Sequence, residues 1–502
     1  MNRRDFITTA VSGITMAAAT SALASECCAD ESSVPGKRKE STPASILIKN
    51  GTIVPMDGNN RTLENQALLI EGDRISAIGK AEDLLNTHTV DRVIDASGKA
   101  VMPGFVNAHT HAADSTILRG LAEDIDPFQY SQLSVPLEEE ILTEEDIYSF
   151  ARLGSVELLK FGNTCAMELG AASQAATAQA FHDSGIRGII APDVSDIMED
   201  NDAMRGGGKA DPKLKKKRFA EARRLLDKWQ RNEESLVNVR IANYMPVLCS
   251  PDTLLESKAL ADEYDVGLNA HAGFGETEYF KSVFGKNQIQ YLFDIGYLDK
   301  NTSIVHMLLT EKEEVAPFKE SGAWMIHCPF EFAKRGYSAP MDMLYEANLN
   351  IALGSDWLMF DPFEQMRYAA VLARLNRGGI GSQKAYDFLD MMTNKAAKAV
   401  GLGEQVGSLE VGKKADIILV DFHQAHISPM NRHYDLVTNL VYNAHGSDVR
   451  TVIVGGKVVV ENGEIKTIDE GEAIEDVNRL SERALTKRFS MPDANSLRAY
   501  SG

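Results

Sequence analysis

The sequence has few cysteines and a shortage of positive charge, and both restrict what this protein can be. Five of its 502 residues are cysteine, and they show neither the paired spacing of a thiolate zinc site nor a disulfide framework. Cys165, Cys249 and Cys328 lie near the ends of apolar runs, where a buried free thiol behaves as a small hydrophobe. The formal net charge of −20 argues against nucleic acid or an anionic membrane as the main partner.

The amino terminus lacks an apolar run long enough to span a bilayer. Its Ala-rich segment is short and contains Thr, Ser and Gly, so we expect no stable membrane anchor. The paired Arg3 and Arg4 resemble a twin-arginine export signal, and Ala22-Leu23-Ala24 offers small residues where a signal peptidase cuts. We therefore predict a signal peptide over residues 1–24, a linker over 25–44 that contains Cys27 and Cys28, and export to the periplasm.

What the chain does contain is a repeated alternation of apolar segments with amphipathic helical patterns between residues 104 and 403. The eight predicted strands are AVMPGFVNAH, GNTCAMEL, IRGIIAPDV, VRIANYMPV, VGLNAHA, TSIVHML, AWMIHCP and NIALGSD. Strands that alternate with helices in this way predict an α/β fold, a parallel (β/α)8 TIM-like barrel. Such barrels place their active sites at the carboxyl ends of the strands.

The segments on either side of this region have a different sequence pattern. Residues 45–103 and 404–466 contain short alternating strands separated by Gly, Asn and Asp turns. This pattern predicts one composite β-sandwich domain built from both chain ends, with the barrel inserted between its halves. Residues 467–502 read as a carboxy-terminal helix and tail.

Ligand-type residues end several of the predicted strands. His109 and His111 are two residues apart, so in a strand both side chains lie on one face. His271, His306 and Asp356 end three later strands. Imidazole nitrogens together with a carboxylate suit Zn²⁺ or a similar divalent ion. The sequence therefore predicts a metal centre at the carboxyl end of the barrel.

Five motifs, in this order, resemble those of the metal-dependent amidohydrolase superfamily: NGTIV, GDRISAIG, PGFVNAHTH, LGSDW and GSLEVGKKADIILVD. The similarity spans about residues 45 to 465 and is strongest to the branch of cytosine, guanine and adenosine-analogue deaminases and triazine hydrolases. It implies a hydrolase acting on a carbon–nitrogen bond of a small-molecule substrate, by deamination of an amino-substituted heterocycle. Relatives of this kind are often homo-oligomers.

The resemblance also implies roles for individual residues. It assigns His109, His111, His271 and Asp356 to one divalent ion, with zinc as the first choice and iron as the alternative. The fourth strand offers no lysine for a second metal. Asp356 would also take the proton of the attacking water, and His306 would orient that water or polarise the substrate.

Two departures from the branch pattern affect the substrate side of the site. The branch carries a glutamate three residues after the fifth-strand histidine, but Phe274 stands there and Glu276 follows. We predict that Glu276 transfers the proton to the ring nitrogen from a lengthened loop. After His327, which we expect to support the pocket, the usual small polar pair is replaced by Phe330-Glu331.

Two other functions stay open at this point. Hydrolysis of an amide, urea, carbamate or ring chloride would need no acid at the ring nitrogen. An exported, non-catalytic barrel that binds a ligand or metal would explain the displaced glutamate, although every predicted metal ligand is present.

Overall fold

Strands form where the sequence has short runs of β-branched and aliphatic residues bounded by turn residues. In a computed structural model they fall within the described residues, which are 44–492 apart from 126, 171–172, 201, 231, 233–234 and 275. The strands are β1 (Ser45–Lys49), β2 (Thr52–Ile53), β3 (Ala67–Glu71), β4 (Arg74–Gly79), β5 (Arg92–Asp95), β6 (Lys99–Pro103), β7 (Phe105–Thr110), β8 (Asn163–Leu169), β9 (Arg187–Ala191), β10 (Asn238–Val239), β11 (Ile241–Asn243), β12 (Leu268–Ala272), β13 (Thr302–His306), β14 (Trp324–His327), β15 (Asn350–Leu353), β16 (Ile417–Asp421), β17 (Val449–Val454), β18 (Lys457–Glu461) and β19 (Glu464–Ile465). The predicted signal peptide, Cys27 and Cys28 lie outside the described residues.

Helices begin where a side chain caps the first free backbone N–H groups. Thr143 and Asp146 form a capping box at the start of α4, and Asp361 accepts from the Phe363 N–H at the start of α13. The helices are α1 (Ala81–Thr87), α2 (Ala112–Leu118), α3 (Pro127–Pro136), α4 (Glu144–Lys160), α5 (Gln174–Ser184), α6 (Pro212–Leu225), α7 (Pro251–Tyr264), α8 (Thr277–Phe284), α9 (Gln288–Asp294), α10 (Lys312–Ser321), α11 (Pro329–Ala333), α12 (Met341–Glu346), α13 (Pro362–Arg377), α14 (Ala385–Met391), α15 (Asn394–Ala399), α16 (Leu436–Asn443) and α17 (Glu470–Ser490). In the part of the chain that the structure describes, no helix is both long and apolar enough to cross a bilayer.

The sandwich takes its strands from both flanks of the chain. One sheet has the order β4-β3-β1-β5, and the other has the order β19-β18-β17-β16-β6-β2. Within the second sheet, β6 from the first flank pairs antiparallel with β16 from the second. Ile46 and Leu68 of one sheet share a buried cluster with Ile417 and Ile453 of the other. The composite sandwich is therefore confirmed.

The barrel consists of two parallel sheets, β7-β8-β9-β10 and β11 to β15. A bridge between Asp193 and Ala242 joins them at one edge, and a bridge between Thr110 and Asp356 joins them at the other. The backbone N–H groups of Ser355 and Asp356 donate to the His109 carbonyl at 2.9 and 3.0 Å. These contacts place the end of the eighth strand beside the end of the first, and the predicted barrel fold is confirmed.

Two predicted strands were drawn too long. AVMPGFVNAH is two strands, because the chain leaves the sandwich at Pro103 and enters the barrel after Gly104. A Cβ atom at Gly104 would lie 2.1 Å from Thr164 Oγ1, so only glycine fits this crossing. VRIANYMPV is interrupted at Arg240 into β10 and β11, and its last residues begin a 3₁₀ turn, Pro246–Leu248.

The predicted carboxy-terminal helix is α17, and it packs on α4 of the barrel. Lys160 Nζ donates to Glu470 Oε1 at 2.7 Å, and Val477 and Leu480 are buried in one cluster with Phe150. Cys165, Cys249 and Cys328 are free and buried, as predicted.

Candidate active site

The structure brings the four predicted histidines, His109, His111, His271 and His306, and the predicted Asp356 together at one end of the barrel. The Nε2 atoms of His109 and His271 are 3.1 Å apart. Asp356 Oδ1 lies 3.5 Å from His109 Nε2 and 3.3 Å from His111 Nε2, and Asp356 Oδ2 lies 3.5 Å from His306 Nε2. All five side chains are buried. Residues that are far apart in sequence meet here because the ends of neighbouring parallel strands share one edge.

The donor atoms of this cluster fit a divalent metal ion. His271 Nδ1 donates to the Tyr244 carbonyl at 2.8 Å, so its Nε2 carries a lone pair that faces His109. His111 Nε2 and both Asp356 carboxylate oxygens are buried without a hydrogen-bond partner. Two nitrogens that each lie about 2.1 Å from one tetrahedral ion are themselves about 3.4 Å apart, close to the His109–His271 separation. His109, His111, His271 and Asp356 could therefore hold one ion.

The backbone at the site is strained. His306 has φ of 79° and Asp356 has φ of 60°, both in the left-handed region that non-glycine residues avoid. Such residues persist where the surrounding structure fixes them, and they concentrate at functional sites. Here His306 and Asp356 both lie where the chain leaves a barrel strand. Their side chains approach each other, with His306 Nε2 3.5 Å from Asp356 Oδ2.

Burial and mutual repulsion lower the pKa of the His109, His271 and His306 imidazoles, which favours their neutral form. Burial, together with the neighbouring His109 and His111, lowers the pKa of His306 to about 3, and burial lowers the pKa of His271 well below its usual value. Burial alone would raise the pKa of Asp356, but the imidazoles of His306 and His109 hold it well below the ordinary range. Neutral imidazoles and an ionised carboxylate are the states that bind a metal ion.

Glu276 lies in the loop after β12, and its carboxylate binds that loop's own backbone. Oε2 accepts from the Phe274 N–H at 2.7 Å, and Oε1 accepts from the Gly273 N–H at 3.2 Å. Burial raises the pKa of Glu276, which favours a carboxylic acid that has a proton to give. The Phe274 ring packs against His306, with ring centroids 4.8 Å apart. The proton-transfer role of Glu276 stays a prediction.

Residues at and just after the end of β14 also lie near the site. The Phe332 ring lies 4.6 Å from that of His306, while Phe330 packs on Tyr368. His327 is buried at the end of β14, and burial lowers its pKa to about 4. Glu331, for which the sequence predicted no role, is buried beside Lys334. Burial and the nearby Asp356 raise the pKa of Glu331 to about 7.

A cavity of about 370 Å³ opens beside His111. Trp357 and Tyr130 form a stacked pair in its wall, with ring centroids 3.7 Å apart. Asp114 and Glu138 also line it, and Asp114 Oδ2 lies 3.8 Å from His111 Nδ1. Neither carboxylate was predicted from the sequence. The spacing of three residues after His111 could have indicated Asp114, since residues i and i+3 of a helix are neighbours, but no local signal indicated Glu138.

A parallel barrel that gathers imidazoles and a carboxylate at the ends of its strands defines the class of metal-dependent barrel hydrolases. The sequence model of the amidohydrolase family matches residues 100–459 of this chain. The chain therefore belongs to that family. It is an enzyme that hydrolyses carbon–nitrogen bonds other than peptide bonds, and the resemblance seen in the sequence is confirmed.

Known relatives cover nearly the whole described chain. The 5-methylthioadenosine/S-adenosylhomocysteine deaminase of Thermoanaerobacter pseudethanolicus is 31% identical over 88% of this chain and 100% of its own length. The 5'-deoxyadenosine deaminase of Methanosarcina mazei is 30% identical over 88% and 99%. A crystal structure of an adenosine deaminase from Xanthomonas campestris with bound zinc has a TM-score of 0.80 at 25% identity, over 88% of this chain and 98% of that one.

Proposed function

We propose that this protein deaminates an amino-substituted heterocycle by hydrolysis, with one zinc ion held by His109, His111, His271 and Asp356. The observation that carries the proposal is the single buried cluster in which Asp356 lies within 3.5 Å of His109, His111 and His306. The relatives named as deaminases act on adenosine derivatives, and one neighbouring structure binds zinc. Iron is the alternative ion, because nitrogen and oxygen ligands suit both metals.

The chain's own residues divide the proton transfers between them. When bound, a divalent ion lowers the pKa of water towards about 7 and so makes a nucleophile available at neutral pH. Asp356 takes a proton from the water as the water oxygen bonds to the carbon that carries the amino group. Glu276 gives a proton to the adjacent ring nitrogen, which makes that carbon more electrophilic. His306, 3.5 Å from Asp356, orients the water or polarises the substrate. The amino group accepts the proton that Asp356 held and leaves as ammonia. The hydroxyl that came from water gives its remaining proton to the Glu276 carboxylate, which restores the acid and leaves a carbonyl in the product.

The test of this proposal is ammonia release from a panel of amino-heterocycles and simple amides, with the protein loaded with one equivalent of Zn²⁺. We expect ammonia from at least one heterocycle, and a loss of at least a hundredfold in Asp356→Asn, because one change removes both a ligand and the base. Asp252→Asn, at an exposed position at the start of α7, is the matched control and should keep full activity. Amine, acid or chloride as the only product would contradict deamination.

We also propose that the protein is exported through the twin-arginine route to the periplasm. The support is the sequence alone, namely Arg3-Arg4 and the small residues before position 25. Fractionation and amino-terminal sequencing test it, with Arg3→Lys combined with Arg4→Lys as the comparison. We expect periplasmic protein that begins at Ser25, and loss of export in the double variant. If the unaltered chain is not found in the periplasmic fraction, the proposal is contradicted.

A further inference from the structure

Helix α3 forms part of the cavity wall, but its apolar side packs outside the main core of the barrel. The side chains of Tyr130, Ser134 and Val135 line the cavity. Tyr130 and Leu133 belong to a second buried apolar cluster, which also contains Ala484 of α17. The position of this part of the wall therefore depends on the carboxy-terminal helix as well as on the barrel.

Arg488 of α17 reaches the backbone of α3. Its side chain is fully buried, and its Nη2 donates to the Gln132 carbonyl. The preceding Lys487 donates from Nζ to the Glu140 carbonyl at 3.3 Å, just beyond the end of α3. Burial of a guanidinium is costly unless its N–H groups find acceptors. The hydrogen bond to α3 offsets part of that cost and gives a physical reason for an arginine here.

A second arginine holds the chain just before α3. Arg335, which follows α11, donates from Nε to the Ile125 carbonyl at 3.0 Å and from Nη2 to the Ala122 carbonyl at 3.1 Å. Its Nη1 donates to the Glu331 carbonyl at 2.9 Å and also pairs with the Glu331 carboxylate. A guanidinium directs its five N–H groups rigidly in one plane, so it fixes several acceptors in one arrangement. Arg335 therefore joins α11 to the chain that leads into α3.

We infer that Arg488 and Arg335 are positioning residues, which fix α3 from two sides and so keep Tyr130 stacked on Trp357 in the cavity wall. Both arginines bind backbone carbonyls, and neither is among the described residues that line the cavity. They can therefore influence a bound molecule only through α3. The Trp357 ring centroid lies 5.0 Å from that of His111, so a shift of Tyr130 would disturb the wall beside the metal cluster. The effect on substrate binding rests on the proposed function, whereas the position of α3 does not.

Hydrogen exchange of backbone amides, measured by mass spectrometry on the zinc-loaded full chain, tests whether the arginines fix α3. In Arg488→Met, which keeps a long side chain but has no donor, we expect exchange over residues 127–141 to be at least tenfold faster. Arg335→Met should accelerate exchange in the same residues, although it alters a different part of the chain. Exchange in β12 should not change. Arg479→Met, at an exposed position on α17, is the matched control and should behave like the unaltered chain.

Two further measurements distinguish positioning of the wall from packing alone. Acrylamide should quench Trp357 fluorescence more strongly in Arg488→Met and in Arg335→Met, with Trp357→Phe giving the background from the other tryptophans. With a heterocycle that releases ammonia, KM should rise at least fivefold in both arginine variants. The kcat should stay within twofold, because the metal ligands and the proton-transfer residues are unchanged.

The outcomes separate this inference from the proposed function. Unchanged exchange over residues 127–141 in both arginine variants would overturn the inference, and so would exchange that rises equally in β12. Faster exchange with unchanged Trp357 quenching, or with unchanged KM in an active enzyme, would also overturn it. If the unaltered chain releases no ammonia, the proposed deamination fails. Faster exchange and stronger quenching in both variants would then still support the positioning of α3. If Arg488→Met does not fold, Arg335→Met decides by the same criteria.

Discussion

At the scale of single residues, Asp356 joins metal binding to proton transfer. Its Oδ1 faces the Nε2 atoms of His109 and His111, and its Oδ2 faces His306 Nε2 at 3.5 Å. One oxygen can therefore bind an ion while the other receives a proton. The left-handed backbone of Asp356 fixes both directions at a conformational cost of about 1–3 kcal/mol.

One variant distinguishes proton transfer by Glu276 from a purely structural role, in which its carboxylate only accepts hydrogen bonds from its own loop. If Glu276 gives a proton to the ring nitrogen, Glu276→Gln should lower kcat by about 10²- to 10⁴-fold with unchanged zinc content. Glu278→Gln, exposed at the start of α8, is the control and should leave kcat unaltered. A lower melting temperature with normal kcat would show instead that the carboxylate only holds the Gly273 and Phe274 N–H groups.

Buried His327 should make the fold sensitive to acid. Its pKa is about 4 when folded, and about 6.5 when unfolded. Between these values the unfolded chain binds the extra proton, so stability falls as the pH falls. From pH 7 to pH 5 this residue should remove about 2 kcal/mol from the free energy of unfolding.

Denaturant unfolding of His327→Gln at several pH values measures that contribution. The variant should show a shallower dependence of unfolding free energy on pH than the unaltered chain. His433→Gln, at an exposed position, should not change the dependence. Equal slopes in all three proteins would show that His327 is already protonated, or exposed, at mild pH.

At the scale of strands and loops, the sequence predicted what depends on local periodicity. His109 and His111 were placed on one face because strand side chains alternate, and ligand-type residues at strand ends meet because parallel strands share an edge. The boundary at Gly104 was missed although Pro103-Gly104 is a turn dipeptide, because apolar residues continue on both sides of it. Glu138 was missed because it reaches the cavity from a segment, Leu137–Ile141, whose position depends on tertiary packing.

The crossing from sandwich to barrel should be intolerant of any side chain at Gly104. In Gly104→Ala the new methyl group would overlap Thr164, whose Oγ1 lies 2.1 Å from the Cβ position. We expect a loss of about 1–3 kcal/mol in the free energy of unfolding. Gly79→Ala, whose nearest neighbour would be 3.8 Å away, should cost less. Equal stability of the two variants would show that this crossing is not tightly packed.

At the scale of the whole molecule, strand pairing in the sandwich holds the segments that precede and follow the barrel next to each other. Strand β6 leads directly into the first barrel strand, and its partner β16 follows the last barrel helix. The His109 carbonyl accepts from the Asp356 N–H at the junction of the first and eighth strands. Closure of the barrel and assembly of the site therefore depend on the same contacts.

The most direct test of the central claim is the origin of the oxygen in the product. The zinc-loaded protein would be incubated with 5'-deoxyadenosine, or with whichever heterocycle releases ammonia, in water enriched in ¹⁸O, and the product examined by mass spectrometry. Metal-dependent hydrolytic deamination predicts one ¹⁸O atom in place of each lost amino group, and no product after metal removal. Ammonia release without ¹⁸O in the product, or at the same rate in metal-free protein, would contradict the account.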